Sequence, residues 1–194
     1  MKDTVKKMFR RCLLHIVHCT LFIVLCTLFA SLSCRRYNTQ QIPQDTSEIE
    51  RKRQEILMRV NQEMVEEDSE KIATFAEEKG WQMKKTESGL WYMIYENGKG
   101  KKAETRTVAV LEYALSLLNG TICYSSEQFG QKEFLIGHSD IEKGLEEGVL
   151  LMREGDKARF LMPPHLAHGL IGDGVCIPRR AIILYDVELV RIID

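Results

Sequence analysis

Apolar residues fall along this chain in three patterns. Between residues 13 and 32 they form a nearly unbroken run, preceded by the basic residues Lys2, Lys6, Lys7, Arg10 and Arg11. From 47 to 80 they thin out and recur at helical spacing, as Ile49, Ile56, Leu57, Val60 and Met64 with charges between them. Ser47 with Glu50 three residues later offers a capping box at the start of this segment. Asp68 or Ser69 predicts a second start, with Ile72, Phe75 and Ala76 on one face and Gly80 as the stop. From 81 onward the period shortens to that of strands. Strands are expected over 90–94, ending at Asn97-Gly98, and over 107–117, 122–124, 133–136, 157–162 and 181–193. Asn119-Gly120 is a hairpin turn between the second and third of these. Ser139 and Glu142 form a further capping box, opening a helix that runs to about Met152. Residues 163–178 form a loop rich in Gly and Pro. Antiparallel strands with one helix able to cover a face define an α+β architecture behind a helical arm.

The chain has 194 residues, which suits one domain of ordinary size with appendages. Its formal net charge of −1 and its unclustered basic residues argue against nucleic acid as a partner. The first segment changes the picture. A basic leader, an apolar stretch and small Ser33 describe an export signal over 1–33. Cys34 directly after that small residue resembles the lipobox of bacterial lipoproteins, which implies a lipidated Cys34 at the start of a mature chain. The match departs from the pattern three residues before the Cys, where Ser31 replaces the usual Leu. An uncleaved anchor is the alternative, because a run of about 20 apolar residues spans a bilayer. Both readings put the remainder outside the inner membrane. Arg35 after Cys34 is not an Asp-type retention signal, so a lipid-anchored, periplasm-facing protein of the envelope is expected, on the outer membrane rather than the inner. Residues 34–46 read as a polar tether, 47–80 as the helical arm and 81–194 as the folded domain. The arm either packs on the side of the domain or serves as a homodimer contact. Of six cysteines, only Cys123 and Cys176 remain beyond the leader and Cys34. They lack CxxC spacing. His138, His165 and His168 lack Cys or carboxylate partners at metal-ligand spacing, and no P-loop or GxGxxG segment occurs. No cofactor or metal is implied.

In order, the strand with Tyr113, the Asn119-Gly120 turn, the helix segment 144–148 (GLEEG) and the closing 185–189 (YDVEL) resemble the FKBP-type peptidyl-prolyl cis-trans isomerases, over about 89–193. The resemblance implies an antiparallel twisted sheet wrapped over a short helix. It also implies action on Pro-containing polypeptides. Rotation about an X-Pro amide faces a barrier of about 18–20 kcal/mol because resonance stiffens the C–N bond. A pocket that favours the twisted, less dipolar amide lowers that barrier by binding the transition state better than the ground state. The family's pocket does this with aromatic walls and one backbone donor. Mapped by position, Tyr113 matches the tyrosine lining the pocket, Phe134 a phenylalanine ahead of the helix, and Ile141 and Glu142 the Val-Ile pair at the helix start. The second of that pair gives its N–H to the substrate carbonyl, a role any residue but Pro can fill. Leu145 takes the place of the tryptophan floor. Ile177 matches the isoleucine of the last loop, and Tyr185 the phenylalanine of the far wall.

The departures change the expected pocket. The family's Phe-Asp pair after the hairpin is Cys123-Tyr124, so a polar contact is lost at Tyr124. His168 stands where a loop tyrosine donates its hydroxyl, and Lys132 where an aromatic wall precedes Phe134. These departures imply weak or narrow isomerase activity, or a groove that holds peptide without turning it over. The resemblance also puts Cys123 and Cys176 on one rim of the pocket, either as a disulfide or as two small buried hydrophobes. Among relatives the chain resembles the lipoprotein isomerases associated with gliding motility in Bacteroidetes.

Overall fold

The computed structural model describes residues 44–138 and 140–194. The leader, Cys34, most of the tether and Ser139 lie outside the described residues. The chain divides into two compact units with a boundary between Arg53 and Gln54; the second carries the sheet.

The arm is one helix, α1 (Gln44–Glu78), not two. No Gly or Pro interrupts it, and ion pairs at helical spacing, Lys52 with Glu48 and Lys71 with Glu67, line its surface. The expected second start is absent because its capping side chains are engaged elsewhere. Asp68 is buried and accepts a hydrogen bond from Arg180 Nη2 at 3.1 Å, while Ser69 Oγ accepts one from Lys85 Nζ at 2.7 Å. Gly80 ends the helix as expected, with φ +68°; the following amide of Trp81 reaches back to the Ala76 carbonyl at 2.9 Å.

The strands are β1 (Lys84–Lys85), β2 (Trp91–Glu96), β3 (Val108–Leu117), β4 (Ile122–Ser125), β5 (Lys132–Leu135), β6 (Lys157–Met162) and β7 (Ile183–Ile193). They form one antiparallel sheet in the order β1-β2-β6-β7-β3-β4, with β5 also paired to β3. The Asn119-Gly120 hairpin closes through a Gly120 amide bond to the Leu117 carbonyl, with Gly120 at φ +89°. A four-residue helix, α2 (Ser126–Phe129), follows β4 without a break.

The covering helix α3 (Lys143–Leu150) starts later than the Ser139 capping box predicts. Glu142 is its N-cap residue, yet the carboxylate does not cap; it turns toward the Tyr185 hydroxyl of β7. Glycines let α3 lie directly on β6. A Cβ at Gly148 would stand 2.7 Å from the Phe160 ring, and one at Gly144 would stand 2.8 Å from the Met162 sulfur. Leu145, Val149 and Met152 thereby join Phe160, Met162 and Tyr185 in the main core.

Alternation along β6 and β7 feeds a second layer. Leu161 and Leu184 point to the opposite face from Phe160 and Tyr185, and there they meet Ile72 and Ala76 of α1, with Phe75, Trp81 and Trp91 around them. At this end the sheet is covered on both faces, which accounts for the nearly continuous burial of β6. The apolar residues nearer the start of α1 differ: Ile56, Leu57 and Val60 remain exposed.

Candidate active site

Hydrophobic contact brings the sequence-predicted pocket residues together. Phe134, Leu145, Ile177 and Tyr185 are buried in the main core, and Tyr113, Tyr124 and Ile141 pack partly buried against it. Tyr113 and Tyr185 face each other from neighbouring strands, with ring centroids 6.0 Å apart and planes tilted by 46°. His168 and Glu142 join the same cluster through polar contacts.

An apolar, water-poor hollow is expected from the family resemblance; the structure instead holds a charged network there. Lys132 and Phe134 are two residues apart on β5, so the pleat sends both side chains to the same face. The Lys132 ammonium lies over the Tyr113 ring at 5.2 Å and over the Tyr185 ring at 5.5 Å. It donates to the Tyr185 hydroxyl at 3.1 Å and stands 3.5 Å from Glu142 Oε2. The Tyr185 hydroxyl donates to Glu142 Oε1 at 2.8 Å, and His168 Nε2 stands 3.2 Å from that same oxygen. A carboxylate only accepts, so the geometry assigns the His168 proton to Nε2.

Burial works against ionisation of Glu142, since its side chain is only 10% exposed. The Lys132 charge, the residue's own main-chain N–H, the Tyr185 hydroxyl and His168 outweigh that penalty and hold the carboxyl below its ordinary range. The Tyr185 phenol moves strongly upward, first through burial and then through the adjacent Glu142 charge, so it remains a donor. Burial and the same charge also raise Tyr113. Glu142 Oε2 nonetheless lacks a hydrogen bond although it is buried. The amide that the family resemblance assigns to the substrate carbonyl thus belongs to the residue that carries this buried carboxylate.

The rim is built from β4 and the last loop. Cys123 and Cys176 form a disulfide with Cα atoms 5.6 Å apart. Beside it, Asp173 Oδ1 accepts the amides of Val175, Cys176 and Ile177 at 2.9, 3.0 and 2.8 Å, and Oδ2 accepts the Tyr124 hydroxyl. Burial would raise the Asp173 carboxyl, but the Tyr124 hydroxyl and the three amides bring it down to about 2. Where the family has an aspartate on the strand, this chain has Tyr124 on the strand and Asp173 opposite. Sequence reasoning overlooked Asp173; the Asp173-Gly174 pair is an Asx-turn signal that could have drawn attention to it. It also treated Lys132 only as a missing wall, because its role depends on a carboxylate at Glu142.

Residues 99–190 match the model of the FKBP-type peptidyl-prolyl cis-trans isomerase family. Over 103 residues the chain is 32% identical to the FK506-binding protein 1 of Dictyostelium discoideum, covering 53% of this chain and 96% of that one. It is 35% identical over 128 residues to a Haemophilus influenzae protein named a probable FKBP-type peptidyl-prolyl cis-trans isomerase, covering 66% of this chain and 52% of that one. The crystal structure of AtFKBP13 superposes with a TM-score of 0.55 at 29% identity, covering 57% of this chain and 98% of that one. The fold and these matches define an FKBP-type domain, and the chain belongs to the FKBP-type peptidyl-prolyl cis-trans isomerase family. It spans about half the length of the bacterial relatives it matches.

Proposed function

We propose that the chain is a peptidyl-prolyl cis-trans isomerase and folding factor for exported proteins, with altered activity. The observation that supports this reading most is the facing pair Tyr113 and Tyr185 packed in one cluster with Leu145, Phe134 and Ile177, the residues that the family resemblance assigns to the pocket. For a prolyl ring to rest on the two tyrosine rings, the Lys132 ammonium must leave their faces. That step weakens substrate binding relative to an apolar pocket. The test is isomerisation of Xaa-Pro peptides with varied Xaa, followed by exchange NMR. Rates equal to the uncatalysed rate for every peptide would refute catalysis.

A non-catalytic peptide-binding or chaperone module is the second reading. It is favoured by the Lys132 ammonium lying over the Tyr113 and Tyr185 rings and by the exposed apolar residues Leu170, Ile171 and Val175 on the loop that carries Ile177. Peptide binding without turnover would support it. The cellular setting is part of the same proposal. A lipidated Cys34 tethers the protein to the periplasmic side of the envelope, in the manner of the gliding-motility-associated lipoprotein isomerases of Bacteroidetes. The exposed Ile56, Leu57 and Val60 serve as a homodimer contact. Deleting 47–65 without a change in oligomeric state would remove the dimer, and finding Cys34 unlipidated in envelope fractions would remove the anchor.

A further inference from the structure

The charged network in the hollow has an energetic consequence for the choice of substrate. The Lys132 ammonium lies over both the Tyr113 and the Tyr185 ring. A prolyl ring stacked on those two rings displaces it. Lys132 is a long, flexible side chain at the mouth and can swing to solvent without moving the backbone. Glu142 cannot follow, because its Oε1 is held by the Tyr185 hydroxyl and His168. Displacement therefore strands a buried carboxylate, and the oxygen left bare is Oε2, which has no hydrogen bond even before displacement. Among the described residues only Lys132 and His168 are in ion-pair contact with Glu142, and His168 addresses the other oxygen. Removing one partner of a buried pair is far more unfavourable than exchanging it for another of the same charge.

We infer that this pocket selects prolines flanked by a cationic residue: a Lys or Arg next to the proline replaces Lys132 as the counter-charge of Glu142. The inference rests on the isomerase-or-groove reading above and adds the substrate class. A neutral apolar flank leaves Glu142 uncompensated, and an acidic flank adds like-charge repulsion. The order of preference is therefore Lys or Arg, then Leu, then Glu. A charge-assisted contact to a buried carboxylate separates Lys from Leu by about tenfold.

The experiment uses the full chain and four peptides, acetyl-Ala-Xaa-Pro-Phe-amide with Xaa as Lys, Arg, Leu or Glu. Both turnover, by exchange NMR, and binding, by titration, are measured for each. The expected result is the stated order in both readouts, and its collapse in Glu142→Gln, a near-isosteric change that keeps an acceptor for Tyr185. Lys132→Met should tighten every peptide, because no internal competitor has to leave, while the gap between Lys and Leu stays. Turnover of all peptides with Leu equal to or better than Lys overturns the inference and leaves the isomerase reading standing. Preferential binding of the cationic peptides without turnover supports the inference while removing catalysis. Absence of both binding and turnover overturns both.

Discussion

Breaking the Cys123–Cys176 bond should lower stability without loosening the loop it joins. The two residues are 53 apart in sequence. Loop-closure entropy for a loop of that length is about 14 cal/mol/K, which is about 4 kcal/mol at 25 °C. That entropy belongs to the unfolded chain. In the folded chain the loop keeps its other tie, the Asp173 carboxylate that gathers three loop amides and the Tyr124 hydroxyl. Reduction should therefore leave the folded structure in place and release the denatured one. Equilibrium urea unfolding, with and without reductant and repeated on a Cys123→Ala, Cys176→Ala chain, measures the difference. The expected outcome is a drop of about 3–4 kcal/mol with a steeper urea dependence, because the reduced denatured chain exposes more surface. Amide shifts of residues 172–178 should stay close to those of the oxidised protein. A loss below about 1 kcal/mol would refute the entropic argument. A loop that melts on reduction would show instead that Asp173 and Tyr124 do not hold it.

Four further expectations follow from particular contacts. Gly148→Ala places a methyl 2.7 Å from the Phe160 ring and should destabilise by about 1–3 kcal/mol despite the better helix propensity of Ala; a raised Tm would mean that α3 sits more loosely on β6 than described. Ile72→Ala empties a fully buried site between α1 and the sheet, and should cost about 2–4 kcal/mol and speed amide exchange in the last turns of α1, both readable by unfolding and hydrogen exchange. Asp173 has its carboxyl lowered to about 2, so its stabilising contribution is present in full above the unfolded carboxyl range near 4 and is lost as pH falls from there to 2. Asp173→Asn should flatten that part of the stability–pH curve, and an unchanged slope between pH 4 and 2 would contradict the assignment. If the isomerase proposal holds, Glu142→Gln should lower KM for Leu-Pro peptides more than it changes kcat, as steady-state rates would show.

Much of the architecture was legible because it rests on local pattern. The change from helical spacing to alternation near Trp81, the Asn119-Gly120 turn and the Gly80 stop all act over a few residues, and each appears where the pattern puts it. The misread positions are those whose side chains have distant partners. Asp68 is a good capping residue by type, but Arg180, 112 residues away, claims its carboxylate. Glu142 completes a capping box on paper, yet Tyr185, 43 residues on, draws its carboxylate into the hollow, and α3 begins one residue after it. The two-residue strand β1 is too short to carry a period. In the site, the apolar members follow from position along strands, whereas the Lys132–Glu142–Tyr185 network exists only because β5 and β7 both pair with β3 and the start of α3 lies beside them.

The same network bears on whether a charged hollow can still catalyse rotation about a prolyl bond. In the planar amide, resonance places more negative charge on the carbonyl oxygen; twisting withdraws it. If the Glu142 amide receives the substrate carbonyl, the Glu142 carboxylate stands beside that oxygen. It repels the planar form more than the twisted one. Repulsion of that kind weakens binding of the ground state by more than it weakens the transition state, so it raises KM without a matching loss of kcat. An apolar wall reaches the same differential by excluding water from the dipolar form. On the isomerase proposal, Glu142 in place of isoleucine therefore changes the means of discrimination between planar and twisted amide rather than abolishing it. The loss would then fall on affinity, and a cationic neighbour of the proline is the substrate feature that would restore it.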